Sequence, residues 1–447
     1  MLDAACQPAP RLVTHEGLEQ EVTTLLKRGL TTPSGGGFLL WPYLRAFQID
    51  DRLTGLLPGK QAGFPPLALG LCLLFETLYG YHHGIRAIDP ISRADFGLLA
   101  GLPCLPAASA EYRFLQAIAT QQALDEQVSL TRYLSALGRI PGGTPLNIDA
   151  HNVRSFSRKE MKRSYLPDEK GYGKAVRLFY TQEQSFQLPL IAFACYSGTT
   201  VSQATPSLMT LTQQAVGTGR LLVADKEWYC GHLLQELRQM DVTVLTPIKQ
   251  SAGRRAEFER IPLDQYLPTL EGKIATIATT LTDYTGPLVA FVKERAPHAY
   301  FALLTTEADL QADTALPTFS DRWHIENFFG LNNALGVDQL PSLNLNAIQA
   351  MLTIRLMAFH VFAAFRQDLG GKFAHQSPEL IRRQFLLPVQ AKIQSRSKQT
   401  ISVTVYGCAQ QHVLKERYQE VSEQLRTRDI DPRLPWLGNR KLEVRFV

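Results

Sequence analysis

The fold is decided at Leu146-Asn147-Ile148-Asp149-Ala150-His151-Asn152-Val153, where a run with strand patterning carries a carboxylate between apolar neighbours. A charge in such a place is costly unless something neutralises it. Downstream, residues 176–181 and 187–196 read as two further strands, joined as a hairpin through the turn at Glu183 and Gln184. A helix follows over 206–216. Leu221-Leu222-Val223-Ala224-Asp225 is then a short apolar run ending in an acid, the pattern of a buried strand that delivers a carboxylate at its C-terminal end. An amphipathic helix over 229–240 and a fifth strand over 242–247 complete the series. Three strands, helix, strand, helix, strand predict an α/β fold with a mixed sheet.

Around this core the texture differs. Upstream, residues 17–27, 65–79 and 110–137 have helical spacing, separated by turn-rich links at 31–37 and 101–107. Gly35-Gly36-Gly37 lacks the following Lys-Ser/Thr of a phosphate loop and reads as a linker. Downstream, 276–281, 288–292 and 299–304 are β-rich, 321–369 is helical with a break near Pro341, and 400–406 is one clear strand in the tail. The resulting division is a helical domain over 1–140, for which a role in DNA binding or dimerisation is an inference from the rest of the chain, a mixed-sheet core in two parts over 141–250 and 318–370, a β-rich insertion over 251–317, and a basic C-terminal region over 371–447.

With 447 residues, 45% hydrophobic and 19% charged, the chain is neither a mini-protein nor a disordered or collagen-like polymer. Residues 1–28 lack the apolar run of a secretory signal, and the most apolar stretches, 68–75 and 356–365, fall short of a membrane span, so a cytoplasmic protein is expected. The six cysteines are scattered and form no zinc or disulfide pattern, which suits reduced thiols. His82-His83 has no third ligand at suitable spacing and reads as a turn.

Three acids stand out by position: Asp149, Asp225 and Glu326, the last in Arg322-Trp323-His324-Ile325-Glu326-Asn327-Phe328-Phe329. Each alone reads most simply as a turn former or a solvated acid. Together, two aspartates from neighbouring strands and one acid from a helix can converge on a pair of hard divalent cations, which prefer carboxylate oxygens. Two such ions can hold the attacking and leaving oxygens of an in-line phosphoryl displacement. His151 and His324 lie close enough in sequence to orient ligands from behind, although an ordinary imidazole is the simpler reading. Trp228 and Trp323 read as packing residues rather than base-stacking wedges.

This pattern resembles the DDE transposases of bacterial insertion sequences, whose catalytic core has the ribonuclease H-like fold shared with retroviral integrases. Residues 146–150 resemble the first strand, 222–229 the second-aspartate box, and Arg322 with Glu326 the central pair of the insertion-sequence-four box Y-x2-R-x3-E-x6-K. Gln187-Leu188-Pro189-Leu190 and Ser197-Gly198-Thr199-Thr200 resemble the hairpin and glycine turn between the two aspartates. The box's tyrosine and lysine positions hold Phe319 and Asn333. The resemblance implies Asp149, Asp225 and Glu326 as a triad binding two Mg²⁺ ions, with Mn²⁺ as a substitute, and Arg322 on the transposon-end backbone. It further implies binding of terminal inverted repeats, 3′-end cleavage by water, strand transfer into target DNA, and a homodimer joining two ends. The long spacing before Glu326 resembles the β-rich insertion of this group.

The net charge of +5 conceals two basic segments. Residues 151–177 carry eight Lys/Arg against three acids, and residues 372–398 carry six against one. The first, with interleaved tyrosines and glycines, reads as a flexible basic loop beside Asp149 suited to phosphate contact. Candidate DNA contacts are therefore Arg154, Arg158, Lys159, Lys162, Arg163, Lys226, Arg322, Arg382 and Arg383. Lys249, Arg254 and Arg255 form a smaller cluster that reads equally as a solvated loop. Two alternatives remain: a ribonuclease H-like nuclease that cuts without joining, and a transposase-derived DNA-binding protein without catalysis.

Overall fold

In the computed structural model, the strand Leu146–Arg154 lies inside a sheet to which ten strands contribute among the described residues. The described residues are 14–56, 63–81, 96–155, 163–166, 170–296, 298–322, 336, 340, 343–387, 389–407 and 410–447. The chain divides into two units, residues 124–331 and residues 1–123 with 332–447. The sheet belongs to the first of these.

Leu146–Arg154 pairs antiparallel with Gly171–Glu183, which pairs antiparallel with Leu188–Tyr196. On its other side it runs parallel to Leu221–Val223, which runs parallel to Thr243–Pro247. Among these five strands the order is third, second, first, fourth, fifth. The expected element series is therefore present and makes a mixed sheet, with the Asp149 strand next to the Asp225 strand. Parallel strands need a long crossover, and the helices Val201–Val216 and Gly231–Gln239 lie between the strands in question. The first begins five residues before the expected start. Thr200 and Gln203 form a reciprocal capping box there, and Pro206 lies inside the helix rather than at its head.

The β-rich segment extends this sheet. Ala299–Thr305 pairs antiparallel with Thr243–Pro247, setting Leu303 opposite Pro247 and Thr305 opposite Leu245. Val289–Ala296, Gly272–Ala278 and Tyr266–Thr269 follow in turn as antiparallel neighbours. Leu245, Ile274, Phe291, Leu303, Ala315 and Leu316 form a buried cluster joining these strands to the helix Ala312–Asp321. Each leucine, isoleucine and phenylalanine among them contributes roughly 1.5–3 kcal/mol by leaving water.

The other unit carries the N-terminal helices, including His15–Arg28, Pro66–Tyr79 and Ala108–Ala117. The single helix expected over 110–137 is two, Ala108–Ala117 and Thr120–Ala136, because Ile118 is extended and fully buried between them. The tail holds more than one strand. Gln390–Ser395, Thr400–Tyr406, Arg440–Phe446 and Arg433–Leu434 form a five-stranded sheet with Leu30–Thr32. Leu345–Leu369 is long and apolar enough to cross a membrane by length and composition, yet that apolar window is entirely buried. It packs against Pro66–Tyr79 and Ala108–Ala117 as a core helix.

One further reading of this unit changes. Gly35-Gly36-Gly37 is no linker: it is a buried turn where a Cβ on Gly36 would come within 2.5 Å of Leu386 Cα, and one on Gly35 within 2.6 Å of Ala391 Cβ. The Gly37 N–H donates to the buried Tyr79 hydroxyl at 2.6 Å, and that hydroxyl donates to the Ser34 carbonyl at 2.8 Å. Among the acids that the unit buries are Glu76 and Glu111. Burial first, then the neighbouring Glu111 carboxyl, holds the Glu76 pKa well above the usual carboxylate range; burial pushes Glu111 up to about 8.

Candidate active site

Asp149 is placed by the strand that carries it. Asn147, two residues earlier on the same face, is fully buried and donates to Gln182 Oε1 at 3.2 Å, anchoring the strand to its antiparallel neighbour. Asp149 itself is 20% exposed, and its Oδ2 lies 3.6 Å from Arg322 Nη1. Its Oδ1 accepts the Ala150 N–H at 2.7 Å.

Asp225 follows the strand Leu221–Val223 in extended conformation and opens the short helical turn Lys226–Trp228. Its carbonyl accepts from Thr246 Oγ1 at 2.9 Å and from the Trp228 N–H at 3.0 Å. Trp228 is almost fully buried and donates from Nε1 to Thr205 Oγ1 at 3.0 Å, a packing role that also pins the turn. The two aspartates are related by register. Leu146 stands opposite Leu222 and Asn147 opposite Val223 on parallel strands. The ladder ends there, and each aspartate lies two residues beyond it, Asp149 further along its own strand and Asp225 at the cap of the turn that follows Val223, so both acids leave the same end of this strand pair.

Arg322 caps the helix Ala312–Asp321, and its guanidinium is largely sheltered, lying 5.4 Å over the ring of Phe319. Phe319, at the box's tyrosine position, packs on Phe301 with ring centroids 5.9 Å apart. Glu326, Trp323, His324 and Asn333 lie outside the described residues. Among the described residues no group of three acid, histidine or cysteine side chains gathers around one point. The donors that are described, two half-sheltered carboxylates at one end of the strand pair, are the hard oxygen ligands that suit a divalent cation.

The other sequence candidates separate. Arg154, Arg163, Lys226 and Arg383 are exposed. Arg158, Lys159 and Lys162, like His82 and His83, lie outside the described residues. Part of the basic segment is ordered as strand rather than loop. Arg163–Leu166 pairs with Gly171–Lys174 at the start of Gly171–Glu183. A Cβ on Gly173 would come within 2.5 Å of Leu166 Cδ1, so that glycine serves close strand packing. Tyr165 and Tyr172 stand exposed on this hairpin, ring edge to ring face at 5.5 Å. Arg177 is engaged within the protein, with Nη2 at 2.6 Å from Glu227 and Nη1 donating to the Thr199 carbonyl. Arg254 likewise pairs with Glu257 and donates to Thr279 Oγ1 at 2.7 Å.

Arg382 is a correction. It is 5% exposed and points inward, its Nε donating to the Leu78 carbonyl at 2.7 Å and its Nη2 to the Thr77 carbonyl at 2.9 Å. Those carbonyls close the helix Pro66–Tyr79, whose last turn has no intrahelical donors left. Burial lowers the Arg382 pKa to about 10, with Glu379 partly offsetting it. A guanidinium used this way is a helix cap and cannot serve as a DNA contact. Cys72, Cys104, Cys195 and Cys230 form no disulfide among the described residues, and burial pushes the Cys195 thiol pKa up, the opposite of an activated nucleophile.

Residues 142–359 match the family described as Transposase DDE domain, a stretch that spans Asp149, Asp225, Arg322 and Glu326. That domain makes the chain a catalytic transposase, of a class that uses a divalent metal. No curated protein matches the chain. Among solved structures it is similar to one described as the piggyBac transposase synaptic complex with hairpin DNA. The identity is 12% and the TM-score 0.45, over 93% of this chain and 84% of that one.

Proposed function

From the premise that the chain is a transposase with its DDE domain over residues 142–359, we propose that it acts on the ends of its own insertion element, of the insertion-sequence-four type. Asp149, Asp225 and Glu326 form the metal-binding triad on a ribonuclease H-like sheet. The chain binds terminal inverted repeats, frees a 3′ hydroxyl by hydrolysis, and directs that hydroxyl at target DNA. The observation that supports this reading is the parallel pairing of Asn147 with Val223, from which Asp149 and Asp225 each follow by two residues at the same end of the strand pair. The third, second, first, fourth, fifth strand order supports the ribonuclease H-like assignment.

Magnesium ions bound there, or manganese in their place, would supply an acidified water and stabilise the departing 3′ oxygen. The protein's own groups hold the carboxylates ready. Arg322 offsets the Asp149 charge, and Thr246 and the buried Trp228–Thr205 bond fix the Asp225 turn. Lys226, exposed beside Asp225, is positioned to meet a backbone phosphate, with Arg154, Arg163 and Arg383 as outlying contacts. Two ends joined in one complex call for a homodimer, acting in the cytoplasm on chromosomal or plasmid DNA.

Asp225→Asn tests the reading. Cleavage of an end-labelled duplex in Mg²⁺ should fall about 1000-fold, equivalent to about 4 kcal/mol of barrier, while DNA binding persists. Unchanged cleavage overturns the assignment. Strand-transfer products from the wild-type chain separate the transposase from a nuclease that only cuts.

A further inference from the structure

Arg322 faces two ways. Besides meeting Asp149, it lines a cleft of about 330 Å³ with Glu271, Lys293, Arg295, Phe301, Leu316, Phe319 and Ser320. The floor is apolar and aromatic, and the charged rim carries three cations against one acid. Arg295 is exposed, lies 4.4 Å over the face of Phe301, and has no carboxylate partner among the described residues. Phe301 in turn packs on Phe319, on which Arg322 rests. The two guanidiniums are thus held on adjoining aromatic rings by cation–π contacts; Arg322 also meets Asp149, whereas the contact at Arg295 orients the cation without neutralising it. Lys293 is partly engaged: its Nζ donates to the Glu271 carbonyl and lies 3.9 Å from the Glu271 carboxylate.

We propose that this cleft binds a backbone phosphodiester of DNA, with Arg295 and Lys293 as contacts and Arg322 shared with the Asp149 site. The proposal rests on the function proposed above and extends it from the acids onto the strand Val289–Ala296. A planar guanidinium with free donors matches phosphate geometry better than any other side chain here. The net excess of positive charge in a cleft with apolar walls favours an anion that arrives in a repeating array, as the phosphates of a duplex do. Sharing Arg322 ties the two places together: a strand seated on Arg295 and Lys293 runs toward the carboxylate that Arg322 holds.

The test is the salt dependence of binding between the full-length chain and a fluorescent 40-base-pair duplex of mixed sequence, since phosphate contacts carry no sequence information. Removing one cation that meets a phosphate should lower the slope of log affinity against log salt by about 0.9. Arg295→Ala with Lys293→Ala should lower it by about 2, and Arg295→Glu should lower the affinity further, all with melting curves like the parent's. Lys273→Ala removes a same-sign charge from the neighbouring strand outside the cleft and should leave the slope as it was. Wild-type binding with identical slopes in the cleft variants overturns this proposal and leaves the transposase reading standing. Failure of the wild-type chain to bind any duplex overturns both. Displacement of DNA by inorganic phosphate beyond the effect of ionic strength would assign the cleft to the free anion, and would equally overturn it.

Discussion

The buried acids Glu76 and Glu111 predict an unusual dependence of stability on pH. Both side chains sit in the unit of residues 1–123 and 332–447, on the facing helices Pro66–Tyr79 and Ala108–Ala117, with Cys72 and Cys104 beside them and, among the described residues, no cation shifting either acid. Two carboxyls buried side by side favour keeping a proton, because two adjacent negative charges away from water are costly. In the unfolded chain both release their protons near pH 4.3. Because the folded pKa values are raised, the stability that the protonated pair allows is complete below that pH and drains away as pH rises toward about 8. Each retained proton costs about 1.4 kcal/mol per pH unit in this window. Taking one proton as the minimum, stability should fall by about 3 kcal/mol between pH 5.5 and 7.5, or roughly 6–12 °C in Tm for a unit of this size. The double variant Glu76→Gln/Glu111→Gln keeps the shape and hydrogen-bonding capacity of the pair but has nothing to titrate. Scanning calorimetry of both proteins across that pH range should show the parent losing stability relative to the variant. Parallel curves would refute the argument, because they would mean that the pair carries the same charge folded and unfolded.

Two further outcomes follow from packing in the same unit. Arg382→Met keeps the apolar stem but orphans the Leu78 carbonyl and leaves the Thr77 carbonyl with the Gly80 N–H, so urea unfolding should show a loss of about 1–3 kcal/mol while the salt slope of DNA binding stays at the parent's value. Gly36→Ala drives a methyl against the Leu386 backbone at 2.5 Å, and the melting temperature should drop by an amount equivalent to about 1–3 kcal/mol.

Much of the candidate site was legible because its signals are local. A carboxylate between apolar strand residues at Asp149, another closing the run Leu221–Asp225, and arginine four residues before an acid at Arg322 and Glu326 are all readable along the chain. The Thr200–Gln203 capping box was readable too, and would have started its helix at Val201 instead of at Pro206. Glycines misled for a physical reason. The lack of a side chain marks a flexible loop and a tight contact identically, and only the neighbour distinguishes them: Leu386 for Gly36, Leu166 for Gly173. Arg382 misled in the same way, since a cation looks alike in sequence whether it faces phosphate or a helix end.

By itself the sequence determined which segments are strands and helices, where the acids sit on them, and how the charge is distributed, because side-chain periodicity and turn chemistry act over a few residues. Tertiary structure alone decided partners. It set Asn147 opposite Val223, and hence Asp149 and Asp225 at one end of the strand pair, across 76 positions of chain, and it paired Leu30–Thr32 with Gln390–Ser395. It also seated Arg322 between Asp149 and the Arg295 cleft. Such pairings depend on complementary surfaces meeting in space, and no local pattern encodes which distant edge a strand will find.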